Sequence, residues 1–316
     1  MQLASAFLRL IRFPNLVFIA LTQFLFYFSI VLPRTEAHPD SIQRLTWGLL
    51  GWLIVASVFI AAAGYIINDY FDLNIDRVNK PGRLVIDKRI RRRWAIFWHL
   101  ALSLTGIAIS FAVGGKLGSP FIGPLNVAAV LLLWFYSTTF KKQALIGNVI
   151  ISLLTAWVVL VLYAAELPIY VTDQPAEQAV LIRDIFKYAV MYGGFAFIIS
   201  LVREVVKDIE DMQGDAKYGC RTMPIAWGVP VSRVFALVWM VVLFGSLAVL
   251  EAYAAQLQWW LFVAYTAFAV MAPTVWTFQR IRVARSTPDW TVASRWVKGI
   301  MLAGILSMLF FKWYHS

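Results

Sequence analysis

Apolar runs of roughly 20 residues, almost free of charge, recur along this chain between shorter polar connections. A helix needs about that many residues to cross the hydrocarbon core of a bilayer. Nine such runs fall at about 14–32, 46–67, 94–113, 120–138, 146–164, 186–202, 232–254, 257–278 and 294–313. The fourth starts near Pro120 and contains Pro124, so an irregular start is expected there. The first follows Arg9 and Arg12 and lacks a small-residue cleavage site, so it reads as a membrane helix and not a removable signal. The expected fold is all-α: a bundle of nine transmembrane helices forming a single domain over residues 1–316. Its longest connections are 68–93, 165–185, 203–231 and 279–293.

Composition supports the membrane assignment. The chain is 61% hydrophobic and 14% charged, whereas a soluble domain carries about 25% charged residues. Cys220 is the single cysteine, which excludes a disulfide within the chain, and with three histidines it leaves no Cys/His zinc cluster.

Charge distribution sets the orientation. With the N-terminus inside and nine crossings, 22 of the 28 Lys and Arg residues fall on the cytoplasmic side, as the positive-inside rule requires. The net charge of +11 is therefore a cytoplasmic-face charge, suited to topology and to anionic lipid and not to nucleic acid. No organelle-targeting segment is visible, which favours a prokaryotic cell membrane.

Two acidic segments carry the candidate chemistry. Asp69, Asp72 and Asp76 follow Asn68 at the cytoplasmic end of the second run, at relative positions 0, 3 and 7. On a helix these positions share one face, and three like charges there need a positive partner. Magnesium commonly shares carboxylates with substrate phosphates. Asp208, Asp211 and Asp215 repeat the spacing at the end of the sixth run, with Glu204 one turn earlier. The topology places both ends on the same face, so two metals could hold a diphosphate between the clusters. Either cluster taken singly could be a solvated helix end.

Basic residues flank both segments: Arg77, Lys80 and Arg83 after the first, Arg203 and Lys207 around the second. Such groups can absorb the charge of a departing diphosphate, although each also serves topology. Tyr136 and Lys141, between the fourth and fifth runs, are an interfacial aromatic and a possible phosphate ligand. The abundant aromatic residues suit a groove for an apolar chain, where their faces stabilise an allylic cation.

These residues resemble the UbiA superfamily of intramembrane prenyltransferases. That family has nine transmembrane helices and two aspartate-rich motifs; Asn68, Asp69, Asp72 and Asp76 match the first, and Asp208, Asp211 and Asp215 match the second. Tyr136 and Lys141 match its tyrosine–lysine element. Arg12-Phe13-Pro14-Asn15 keeps part of its N-terminal pattern, implying substrate contacts for Arg12 and Asn15. The wording around both motifs is similar to the branch of digeranylgeranylglyceryl phosphate synthases, as is Lys141–Asn148. The stretch Leu84–Lys88 departs from the Pro-rich sequence often found after the first motif in archaeal members.

The resemblance implies Mg2+-dependent transfer of a prenyl group, geranylgeranyl in this branch, from its diphosphate to a lipid alcohol such as geranylgeranylglyceryl phosphate. Asn68 would position the diphosphate. An aromatic acceptor of quinone biosynthesis is the alternative within the same chemistry. A divalent-cation transporter is the alternative of another class, but its acids should lie near mid-membrane, and here they lie at one face. A CDP-alcohol phosphotransferase motif begins Asp-Gly, which neither segment does.

Overall fold

The structure, a computed structural model, describes residues 2–37, 44–79, 81–82, 84–167 and 176–315. Among these residues no β-strand forms, and the nine apolar runs all lie on helices. These are α1 (Phe13–Ala37), α2 (Trp47–Phe71), α3 (Arg92–Leu117), α4 (Ile122–Thr138) and α5 (Ile146–Glu166). They continue with α6 (Ala176–Lys217), α7 (Val229–Gln256), α8 (Trp260–Val283) and α9 (Thr287–Tyr314). Eight are long and apolar enough to cross a membrane. The exception is α4, whose 17 residues extend about 25 Å, the lower limit for a bilayer core.

Local chemistry explains many of the boundaries. The Thr46 hydroxyl accepts from the Leu49 N–H and caps α2, while Ser286 and Asp289 form a capping box on α9. Pro124 sits in the first turn of α4, where its missing N–H costs nothing. Pro33 and Pro273 each follow a π-helical turn, Tyr27–Val31 in α1 and Ala267–Met271 in α8. A proline removes one ladder hydrogen bond, and the wider turn accommodates its ring.

Helices in a bilayer pack through small residues and interhelical hydrogen bonds, because lipid is as apolar as their side chains. A Cβ on Gly106 of α3 would stand 2.8 Å from Ile60 of α2, and one on Gly64 of α2 would stand 2.9 Å from Leu133 of α4. Gln23 of α1 donates to Ser57 of α2 at 2.9 Å and to the Val158 carbonyl of α5 at 3.0 Å. Asn126 of α4 donates to Ser110 of α3 and accepts from the Trp157 indole of α5, both at 2.8 Å. The outer surface is apolar, with Trp52, Leu104, Val249 and Phe268 fully or largely exposed. A surface of that kind on helices of that length belongs to an integral, multi-pass membrane protein.

Candidate active site

Both acidic segments lie at helix ends, but their backbones differ. α2 ends at Phe71, Asp72 caps it, and a short helix, Leu73–Asn79, begins immediately. Asp69, in the last turn of α2, pairs with the Arg12 guanidinium at 2.7 Å. Asp72 and Asp76 line the cavity directly, and Asp69 is joined to it through Arg12, which also lines it. The second segment is unbroken. α6 runs 42 residues, about 63 Å, and its C-terminal turns carry Asp208, Asp211 and Asp215 to the same cavity.

Asn79 ties the two segments together. Its side-chain amide donates to the Asp211 carbonyl at 2.8 Å, and its carbonyl oxygen accepts from the Gly214 N–H at 2.8 Å. The absence of a side chain at Gly214 permits this, since a Cβ there would lie 2.5 Å from the Asn79 amide. The short helix is thereby laid on the end of α6.

The resulting cavity has a volume of about 350 Å³. At its polar end the Lys141 ammonium donates to one oxygen of Asp72, and the Asn68 amide donates to the other at 2.7 Å. The Lys141 side chain is only 9% exposed and that of Asp72 18%, so the pair is largely shielded from solvent. Asn148 of α5 donates to Asp208 at 2.8 Å. Arg203 holds Glu204 at 2.7 Å, and both face the cavity with Lys207. Tyr136 and Asn15 also line it, the latter accepting from Lys298 of α9 at 2.7 Å. Beyond this rim the walls turn apolar, through Ile60, Leu133, Leu154, Val158 and Ile199.

Arg12 sits in the left-handed region at φ 51, as the N-cap of α1, two residues before Pro14 in its first turn. The arrangement aims its guanidinium at Asp69 and over the Tyr65 ring, 5.1 Å from the centroid. The Asp69 carboxylate holds the guanidinium pKa above its ordinary value, so it is charged at every accessible pH.

Not every expected residue arrives. Arg77 does not line the cavity; it pairs loosely with Asp87, at 3.5 Å, which also faces Arg92 at 3.6 Å. Lys80 and Arg83 lie outside the described residues. Conversely, Asn79, Asn148 and Lys298 reach the site with no role suggested by the sequence. Asn79 and Asn148 stand within motif-bearing stretches but are neutral, and Lys298 reads from sequence as one more topological cation.

The donor set is one of hard oxygens. Six carboxylates line the cavity, those of Asp72, Asp76, Glu204, Asp208, Asp211 and Asp215, and Asn68 adds a buried side-chain oxygen with no hydrogen-bond partner. Oxygen donors of this kind fit magnesium. Among the described residues no three acidic, His or Cys side chains are already gathered as a metal cluster; Asp72 and Asp208 are held by Lys141 and Asn148. Cys220 also lines the cavity, but burial, aided by Asp215, pushes its thiol up to about 11. At neutral pH it is a protonated thiol.

A charged cavity opening into an apolar interior, inside a helical membrane bundle, defines the class. Residues 37–303 match the profile of the UbiA prenyltransferase family. A digeranylgeranylglyceryl phosphate synthase from Methanopyrus kandleri is 33% identical over 270 residues, covering 84% of this chain and 88% of the relative. One from Sulfurisphaera tokodaii is 31% identical over 239 residues, 76% of each chain. The chain belongs to the UbiA prenyltransferase family. Solved structures agree in fold. A chain from work on digeranylgeranylglyceryl phosphate synthase in membranes superposes with a TM-score of 0.63 at 23% identity, covering 98% of this chain and 99% of its own. A UbiA homolog from Archaeoglobus fulgidus, bound to DMAPP and Mg2+, superposes with a TM-score of 0.55 at 15% identity, covering 96% of this chain and 98% of its own.

Proposed function

We propose that this protein transfers a geranylgeranyl group from its diphosphate to the free hydroxyl of a phosphorylated lipid alcohol, geranylgeranylglyceryl phosphate, using Mg2+. The observation that carries the reading is the convergence of both aspartate segments on one cavity, polar at one end and apolar beyond. The curated relatives support the acceptor, and the A. fulgidus homolog supports both a prenyl diphosphate and the metal.

In this reading Asp72 and Asp76 on one side, and Asp208, Asp211 and Asp215 on the other, hold magnesium, with the unpartnered Asn68 oxygen available beside them. Bound magnesium supplies charge neutralisation for the diphosphate. Lys141 then exchanges its contact with Asp72 for a phosphate oxygen, and Arg203, Lys207 and Arg12 line the route of developing negative charge. The C1–O bond of the donor breaks with its electron pair leaving on the diphosphate, and the acceptor oxygen attacks C1. The acceptor's proton passes to the released diphosphate. Tyr136 and the apolar walls shield the allylic cation from water. In this reading the acidic face is cytoplasmic, which the charge asymmetry supports.

The test is transfer of labelled geranylgeranyl to geranylgeranylglyceryl phosphate by the purified wild type and by Asp72→Ala. The reading expects magnesium-dependent product from the wild type. The variant should give about 100- to 1,000-fold less, the scale on which a preorganised electrostatic group acts. Equal turnover by a folded Asp72→Ala protein would remove this residue, and the metal site built on it, from the reaction.

A further inference from the structure

Lys298 stands on α9 about 16 Å along the helix from Thr287, inside an apolar span. A charge within a membrane span is costly and marks a function more often than a packing role. Its ammonium donates to Asn15 at 2.7 Å and lies 5.0 Å over the Phe18 ring. Among the described residues no acidic side chain pairs with it. Three other cavity cations, Arg12, Lys141 and Arg203, each hold a carboxylate.

The surroundings of Lys298 form a groove with a head and a tail. Along α9, Met301, Ile305 and Met308 follow Lys298 at helical spacing and line the same cavity. Along α1, Asn15 is followed by Phe18, Ile19 and Thr22 on the same wall. Both helices thus place a polar group at one level and largely apolar groups deeper in the bundle. Arg203 lines the same cavity, a second cation within the walls that Lys298 faces. Its guanidinium keeps further N–H donors beyond the one given to Glu204.

We propose that Lys298, with Asn15 and Arg203, is the subsite for the phosphate of the acceptor, a phosphomonoester on a lipid alcohol. The apolar stripes of α1 and α9 take that lipid's chain. The subsite selects a phosphorylated acceptor over an uncharged one, and it is separate from the aspartates that serve the donor. The inference rests on the proposed function and names where one of its two substrates is read.

The experiment measures steady-state transfer by the wild type, Lys298→Met and Lys298→Arg, with geranylgeranylglyceryl phosphate and with its dephosphorylated glycerol ether as acceptors. A charge-assisted hydrogen bond to phosphate is worth about 10- to 100-fold in affinity. Lys298→Met should raise the acceptor KM by that factor, leave the donor KM unchanged, and leave the slow reaction of the dephosphorylated acceptor unaltered. Lys298→Arg should restore most of the loss. In the wild type, free glycerol phosphate should compete with the acceptor and not with the donor, a result that needs no variant to fold. A raised donor KM in Lys298→Met, equal losses with both acceptors, or competition of glycerol phosphate against the donor alone would overturn the subsite while leaving the proposed function intact. Absence of transfer to either acceptor by the wild type would overturn the proposed function, and the subsite with it.

Discussion

The Asn79 clasp predicts that magnesium dependence is set partly by a residue that need not touch the metal. Asn79→Ala removes one donor to the Asp211 carbonyl and one acceptor from the Gly214 N–H. Each neutral hydrogen bond contributes about 0.5–1.5 kcal/mol net, so the tie between the two aspartate segments is worth about 1–3 kcal/mol. If that tie holds the carboxylates in the metal-binding arrangement, its loss raises half-saturating magnesium about 5- to 150-fold. Gly214→Ala attacks the same contact from the other side, since the added Cβ would meet the Asn79 amide at 2.5 Å. Alanine is the better helix former by about 1 kcal/mol, so this variant should keep its thermal stability and still lose metal affinity. The assay is a magnesium titration of transfer at saturating donor and acceptor, beside thermal unfolding in detergent. Wild-type half-saturation in both variants would refute the reasoning. So would a loss of activity that follows stability and not magnesium.

Three further outcomes follow from separate contacts. Asp69→Asn frees Arg12 from the ion pair made at 2.7 Å; because Asp69 reaches the cavity through Arg12 and Asp72 lines it directly, its loss should lower turnover far less than Asp72→Ala, and equal losses would count against an indirect role. Cys220 has a thiol raised from 9.0 to about 11, so at pH 7.5 its thiolate fraction is about 100-fold below that of an unperturbed cysteine. Iodoacetamide should therefore label it slowly at neutral pH and faster as pH rises towards 11, whereas rapid labelling at pH 7.5 would contradict the buried setting. Gly106→Val would drive a side chain into Ile60 and the Ala56 carbonyl, 2.8 and 3.2 Å from the added Cβ. Overpacking of this kind costs about 1–3 kcal/mol, to be seen as a lowered unfolding temperature without a change in acceptor preference.

The parts of the fold that were legible in the sequence were those encoded locally. A run such as 232–254 announces a membrane helix by apolar length alone, and α7 covers it. Both sets of acids at 0, 3 and 7 directly follow apolar runs, and the structure places both in the last turns of a helix or just beyond them. What was not legible depends on contacts between distant parts of the chain. The polar sequence after residue 202 reads as a connection, yet α6 continues to Lys217, with the short helix Leu73–Asn79 laid against its end. The engagement of Asp69 depends on Arg12, 57 residues away from it in the chain. Asn79 and Asn148 carry no charge to attract notice, and their partners lie on α6. Lys298 reads from sequence as one of many topological cations, and only the fold shows that it faces inward on to Asn15, 283 residues distant.

The central claim is that the cavity joins a prenyl diphosphate to a phosphorylated lipid alcohol. The most direct measurement offers the purified wild type geranylgeranyl diphosphate and Mg2+ with equal amounts of geranylgeranylglyceryl phosphate and 4-hydroxybenzoate in one reaction, and identifies the products by mass. The account predicts the digeranylgeranyl ether lipid and no prenylated benzoate. Prenylated benzoate without the ether lipid would contradict it and assign the same cavity to an aromatic acceptor.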